Sequence, residues 1–116
     1  MSITLSDDQL RFLRLGFQRL IPPNQIEKIG IAQVVKEVCG LQAQDDSAAP
    51  LAIRVRSAGL VLADVEQARV HDRTIIRTWG PRGTLHLLAS DDIGWLVPLL
   101  GPVFVEGDRR PHLLWA

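Results

Sequence analysis

Between Thr74 and Leu88 the apolar pattern of this chain changes period, and that change limits the folds open to it. Thr74-Ile75-Ile76-Arg77-Thr78-Trp79 is β-branched and aromatic, Gly80-Pro81-Arg82-Gly83 is turn chemistry, and Thr84-Leu85-His86-Leu87-Leu88 resumes an extended pattern. Two such runs joined by a short Gly/Pro turn predict a β-hairpin. The segments on either side of it read as helix.

Ser6-Asp7-Asp8-Gln9 is a capping-box sequence with Ser6 as N-cap. Leu10, Leu13 and Phe17 then share one helical face. This helix is expected to run to about Arg19 or Leu20, with Pro22-Pro23 stopping it and Asn24 to Gly30 as a linker. Ile31, Val34, Val35 and Val38 predict a second short helix, closed by Gly40 at a C′ position. Asp46 or Ser47 caps a third, with Pro50 in its first turn, Leu51, Ala52, Val55 and Leu60 on its buried side, and Gly59 at its end. A fourth is expected from Leu62 or Ala63 to Val70. After the hairpin, Ser90-Asp91-Asp92 caps a last helix from Ile93 to Leu100. Trp95, Leu96, Leu99 and Leu100 form its apolar side, and Pro98 kinks or shortens it.

Three helices followed by a hairpin is the order of a winged helix-turn-helix, in which the hairpin is the wing. A fourth helix intervenes here, so the third or the fourth would take the recognition position. The expected fold is mainly α with a β-hairpin, a winged helix-turn-helix over residues 6–100; a small α+β domain of another topology is the alternative. Residues 101–116 are read as a C-terminal tail. Its apolar runs, Val103-Phe104-Val105 and Leu113-Leu114-Trp115, are interrupted by Glu106, Asp108, Arg109 and Arg110. Three fates are open to such a tail: packing back on the domain, pairing two copies as a homodimer, or starting a further unit.

A chain of 116 residues supplies one small domain. No apolar run reaches the roughly 18 residues a membrane span needs, and the first residues lack the basic flank and apolar core of a signal peptide. A cytoplasmic location, on the nucleoid when DNA is bound, is the expectation. Thirteen basic residues balance thirteen acidic ones, which argues against a stand-alone DNA binder. The distribution softens this: Arg54, Arg56, Arg69, Arg73, Arg77 and Arg82 face only Asp64, Glu66 and Asp72 over the same stretch. Six other acids, Asp7, Asp8, Asp45, Asp46, Asp91 and Asp92, gather near helix starts, where they complement the helix dipole.

Gly40-Leu41-Gln42-Ala43-Gln44-Asp45 lies between the second and third helices. Glutamine is unusual at such a junction, where Gly, Asn, Asp and Ser dominate. In an extended segment Gln42 and Gln44 point to the same face, which sets two amides side by side; two solvated loop residues is the plain alternative. No cofactor is expected. His71, His86 and His112 with Cys39 lack metal-ligand spacing, and there is no phosphate loop or nucleophile elbow. Cys39, next to a helix end, reads as a small buried hydrophobe.

Taken together, this glutamine stretch and Arg77-Thr78-Trp79-Gly80-Pro81-Arg82-Gly83-Thr84-Leu85-His86 resemble, in order and spacing, the winged-helix DNA glycosylase superfamily of AlkZ-like and YcaQ-like proteins. The resemblance covers roughly residues 7 to 102, the N-terminal portion of a family whose members are several times longer. It implies tandem winged-helix units, excision of alkylated bases from double-stranded DNA, and in some members unhooking of interstrand crosslinks. The family's catalytic pair is Gln-x-Gln or Gln-x-Asp, and Gln42 and Gln44 match the first form. The later units are absent from this sequence, and from Arg109 onward it departs from the family pattern.

An amide is no useful base near neutral pH, so Gln42 and Gln44 can only orient water and place dipoles near an oxocarbenium-like sugar. That suffices for a good leaving group, such as a cationic alkylated purine. Around the pair, Arg82 at the wing tip is a candidate phosphate contact, with Arg77, Thr84, His86 and Arg54 as further DNA-side candidates. Arg77 can face either side of its strand. His86 is either a structural hydrogen-bonded histidine or one that faces DNA or the glutamines. Asp45 reads first as N-cap of the third helix.

Overall fold

A computed structural model of the chain describes residues 1–21 and 29–107. In order these form α1 (Asp7–Phe17), α2 (Ile31–Glu37), β1 (Leu41–Gln42), α3 (Ala49–Arg54), α4 (Leu62–Glu66), a π-helical turn (Gln67–His71), β2 (Ile75–Trp79), a 3-10 turn (Pro81–Gly83), β3 (Leu85–Ala89) and α5 (Ser90–Gly107). The hairpin is present as β2 and β3, and β1 adds a third antiparallel strand in the order β1-β3-β2. Leu41 pairs with Leu87 and Gln42 with His86. This is the winged-helix arrangement, built from α2, α3, α4 and the sheet. The helix directly before the wing, in the recognition position, is α4.

One face of the sheet carries Leu41, Ala43, Ile75, Leu87 and Ala89 into a cluster with Ile31, Val34 and Val35 of α2, Ala49 and Ile53 of α3, and Val65 and Ala68 of α4 and its π turn. Each fully buried aliphatic side chain here contributes about 1.5–3 kcal/mol over an exposed one. His86 and Leu88 alternate to the other face and are nonetheless buried. Their cover is α5, which packs against β2, β3 and the 3-10 turn and buries Leu96.

The capping box at Ser6 forms in both directions: Gln9 N–H donates to Ser6 Oγ at 3.2 Å and Ser6 N–H to Gln9 Oε1 at 2.9 Å. The expected core stripe of α1 does not pack. No residue of α1 is buried, and Leu10, Leu13 and Phe17 are exposed. Instead α1 is attached by its end. The helix stops at Phe17, ahead of the expected Arg19 or Leu20, because Arg19 turns left-handed with φ of 57°. Arg19 N–H then donates to Gly16 O and Leu20 N–H to Leu15 O, the two reversed bonds of a Schellman close. The Arg19 side chain is buried, donating to the Arg56 carbonyl at 3.2 Å and pairing with Glu37.

The same close ends α2. Cys39 N–H donates to Lys36 O and Gly40 N–H to Val35 O. The C′ residue is therefore Cys39, with φ of 56°, and Gly40 follows it at φ of 102°. Cys39 is exposed, against the expectation of burial, because the left-handed turn directs the chain out of the helix axis before β1 begins. In α3 the buried residues are Ala49 and Ile53, while Leu51 and Val55 are exposed. The helix starts at Ala49 without a side-chain cap, and this phase turns Leu51 and Val55 outward, while Ala52 and Leu60 of the expected stripe pack against the core. α5 passes through Pro98 and Pro102 to Gly107, past the expected end at Leu100. The carbonyls those prolines leave unpaired, at Gly94 and Pro98, belong to exposed residues, where water satisfies them. Ser90 anchors rather than caps this helix: its hydroxyl donates to the Arg73 carbonyl and its N–H to Thr74 O. The Pro22-Pro23 stop, most of the linker, and the tail from Asp108 with its dimer expectation lie outside the described residues. No helix among the described residues is long and apolar enough to cross a membrane.

Candidate nucleic-acid interface and glutamine site

Gly40 decides where the glutamine segment can go. A Cβ at this position would lie 2.6 Å from Leu88 Cδ2 and 3.4 Å from the Leu87 carbonyl oxygen. Only a residue without a side chain lets the chain leave α2 and drop onto the edge of β3. From there burial alternates: Leu41 and Ala43 are buried, Gln42 and Gln44 exposed. The segment is extended, and the two glutamines alternate to the outer side.

They are not equivalent. The Gln44 amide oxygen accepts the Leu85 N–H at 2.6 Å; since the donor is a backbone N–H, only the oxygen can face it. What remains open on Gln44 is its amide nitrogen. The Gln42 amide makes no hydrogen bond among the described residues, and Gln42 stands in register beside His86, with Thr78 beyond it on the same face. Asp45 follows. Its carboxylate accepts from the Ser47 N–H at 2.9 Å and hydroxyl at 2.6 Å, a local Asx turn rather than the expected cap of α3. The Ser47 hydroxyl and then the backbone bonds hold its carboxyl below the ordinary aspartate range.

Arg77 is brought to this segment. On β2 it lies in register with Leu87, on the core face, and its guanidinium runs beneath β3 to the far edge. Nε donates to the Ala43 carbonyl at 2.9 Å and Nη2 to the Gln44 carbonyl at 3.2 Å. Asp46 Oδ1 is 3.8 Å from the same Nε and accepts from Arg69 Nη1 at 2.7 Å. A chain of alternating charge thus ties the segment after Gln42 to β2 and to the π turn. Sequence reasoning missed Asp46 and Arg69 as parts of this site. The available signal was the parity of β2, which places Arg77 on the side of Ile75.

The other candidates sit on or near the wing. Arg82 is exposed at its tip, at φ of 60° inside the 3-10 turn. Thr84 closes the turn, its hydroxyl donating to the Pro81 carbonyl at 3.2 Å. His86 Nδ1 lies 2.9 Å from the Thr84 carbonyl oxygen. A carbonyl only accepts, so this nitrogen carries a proton. Gly80 makes room for that ring, since a Cβ there would lie 2.9 Å from three of the histidine's atoms. Arg54 is exposed at the end of α3, and no contact among the described residues joins it to the glutamines. The structure therefore gathers Gln42, Gln44, Arg77, His86 and Thr84 on one three-stranded edge, with Arg82 beyond them.

Comparison with known proteins identifies the family. The family model described as DNA glycosylase AlkZ-like matches residues 35–116, which include the glutamine segment, Arg77 and the wing. An interstrand DNA cross-link repair glycosylase from Streptomyces sahachiroi is 38% identical over 69 residues, covering 60% of this chain and 18% of its own. The solved structure of Streptomyces sahachiroi DNA glycosylase AlkZ superposes with a TM-score of 0.68 at 34% identity, over 79% of this chain and 24% of that one. This chain spans less than a quarter of the length of either.

Proposed function

Because this chain belongs to the AlkZ-like DNA glycosylase family, we propose that it is the winged-helix portion of a monofunctional glycosylase that bears the Gln-x-Gln pair. Its partner is double-stranded DNA carrying an alkylated base. The observation that carries this reading is the unequal state of the two amides: among the described residues Gln42 is exposed and makes no hydrogen bond, while Gln44 is fixed through its oxygen on Leu85 with no partner at its amide nitrogen.

In the reaction, the bond from the sugar C1′ to the alkylated purine breaks with its electron pair going to the base. The base arrives with a positive charge and leaves neutral. Water bonds to C1′ and releases its proton to solvent. The Gln42 carbonyl, which meets no donor among the described residues, accepts from that water and orients it, while the Gln44 amide nitrogen donates to its oxygen. Two amides cannot deprotonate water, so the site fits substrates whose leaving group is already activated and not undamaged purines. Unhooking of an alkyl crosslink is the same cleavage on a base joined to the opposite strand. Arg82 at the wing tip contacts phosphate, Thr84 and His86 shape the wing beside it, and Arg54 is an outlying phosphate contact.

The test is release of 7-methylguanine from methylated duplex by this chain, beside Gln42→Ala and Gln44→Ala variants. Release lost in both variants supports the reading; release that survives both removes these residues from the mechanism. A second reading has its own support: α4, in the recognition position, exposes Asp64 and Glu66, which repel phosphate. Of the two non-catalytic alternatives, a DNA-binding and a protein-interaction domain, this favours the protein-interaction form. Duplex binding that falls on charge reversal at Arg82, with no base release, would single out the DNA-binding form.

A further inference from the structure

We infer that Arg77 is the positioning residue of the glutamine pair: by drawing the Ala43 carbonyl out of the β1–β3 ladder, it makes the Gln44 side chain complete that ladder. The inference rests on the reading of Gln42 and Gln44 given above, and extends it to a residue that touches neither amide.

The register sets the expectation. Leu41 opposes Leu87 and Gln42 opposes His86, so Ala43 opposes Leu85. In an antiparallel ladder opposed residues alternate between pairs that exchange two hydrogen bonds and pairs that exchange none, and the bond from Ala43 N–H puts this pair in the first kind. Only one of them is made between these backbones: Ala43 N–H donates to the Leu85 carbonyl at 2.7 Å. The reciprocal bond, Leu85 N–H to the Ala43 carbonyl, is replaced. That carbonyl is held by Arg77 Nε at 2.9 Å, and Leu85 N–H goes to Gln44 Oε1 at 2.6 Å. One guanidinium thus fixes two successive carbonyls, those of Ala43 and Gln44, and the carboxylate beside it is Asp46, which Arg69 shares.

The consequence is chemical. A glutamine free to rotate offers either its carbonyl or its NH2 to a substrate. With its oxygen committed to Leu85, Gln44 offers NH2 alone, and the pair is sorted into one donor and one free amide. Without Arg77 the Ala43 carbonyl returns to Leu85 N–H, Gln44 is released, and the sorting is lost.

Two measurements test this. The first needs no substrate: backbone amide exchange at Leu85 in the full chain, with Leu87 as the internal control for an intact sheet. Gln44→Ala should speed Leu85 exchange about tenfold, the effect of losing one hydrogen bond. In an Arg77→Met background the same substitution should change it less than twofold, because Ala43 takes over. An equal effect of Gln44→Ala in both backgrounds, or none in either, overturns the inference. The second is base release from methylated duplex. Arg77→Met should lower the single-turnover rate at saturating DNA about tenfold, with unchanged DNA affinity and salt dependence, and Arg77→Lys should restore part of it. A phosphate contact would do the opposite, weakening affinity and reducing the salt slope by about one, and that result also overturns the inference. If Gln42→Ala abolishes release and Arg77→Met leaves it intact, the inference fails while the reading of the pair stands. If the unaltered chain releases no base, that reading fails for this chain, and Leu85 exchange still decides the role of Arg77.

Discussion

α1 and the glutamine segment are opposites. α1 has eleven residues, a complete capping box and acidic residues in its first turn, and it buries none of its side chains. β1 has two residues and no local signal for a strand, yet it is bonded through Ala43, Gln44 and Arg77 to both strands of the wing. The first shows that local sequence can define a helix without giving it a place. The second shows that a place can be defined by bonds from distant residues. Where the two regions do agree is in how they are joined to the core: each adjoins a left-handed residue that reverses the chain at a helix end, Arg19 after α1 and Cys39 before β1.

The largest expected effect comes from breaking the second region at its root. Gly40→Ala puts a Cβ at 2.6 Å from Leu88 Cδ2 on a backbone at φ of 102°, and overpacking plus strain should destabilise the chain by about 3 kcal/mol in a urea melt. Next is the anchor of α1. Arg19→Ala removes the buried guanidinium that bridges the exposed Glu37 carboxylate and the Arg56 carbonyl and should cost about 2 kcal/mol, read as faster amide exchange in α1. Arg19→Gly should cost less by about 0.5–1 kcal/mol, since glycine relaxes the left-handed turn; equal losses would mean the turn carries no strain.

Acid should loosen the same anchor more gently. Gln33, and with it Arg19, hold the Glu37 carboxyl below its ordinary value of 4.5 despite partial desolvation. A group depressed in the folded chain stabilises it above the unfolded value, and that contribution is lost as pH falls through the folded value. The midpoint for α1 release should therefore lie below 4.5, and Glu37→Gln should flatten the titration. Solvent screening keeps the effect under about 1 kcal/mol. Smallest of all, Leu13→Ser or Phe17→Ser should change stability by no more than about 0.5 kcal/mol. A larger loss would show that the outer face of α1 is packed in solution and would erase the contrast.

The sequence reading reached what is local. Ser6 and Gln9 cap each other within three residues, and Gly80-Pro81-Arg82-Gly83 turns the wing on itself, so both were legible. The hairpin came out one residue from its observed limits. What stayed hidden depends on partners far along the chain. β1 is a strand only because β3, far along the chain, pairs Leu87 with Leu41 and His86 with Gln42, and Arg77 faces the glutamine segment only because β1 is there to receive it. The reversals at Arg19 and Cys39 use side chains that seldom adopt positive φ, so glycine-based reasoning placed the α2 close one residue late. The outward phase of Leu51 and Val55 follows from where α3 begins, which no cap marks. At the site, Gln42 and Gln44 stood out as residue types, but the commitment of the Gln44 oxygen could be seen only once Leu85 was beside it.

Cys39 gives this chain a practical property. It is the one cysteine in the sequence, it is exposed, and it stands three positions before Gln42 at the pivot from which the glutamine segment departs. A thiol-reactive fluorophore or spin label would therefore attach at a single position without any engineered substitution. Its signal would follow the pivot as duplex is added, and so time the response of this edge to DNA separately from the appearance of free base.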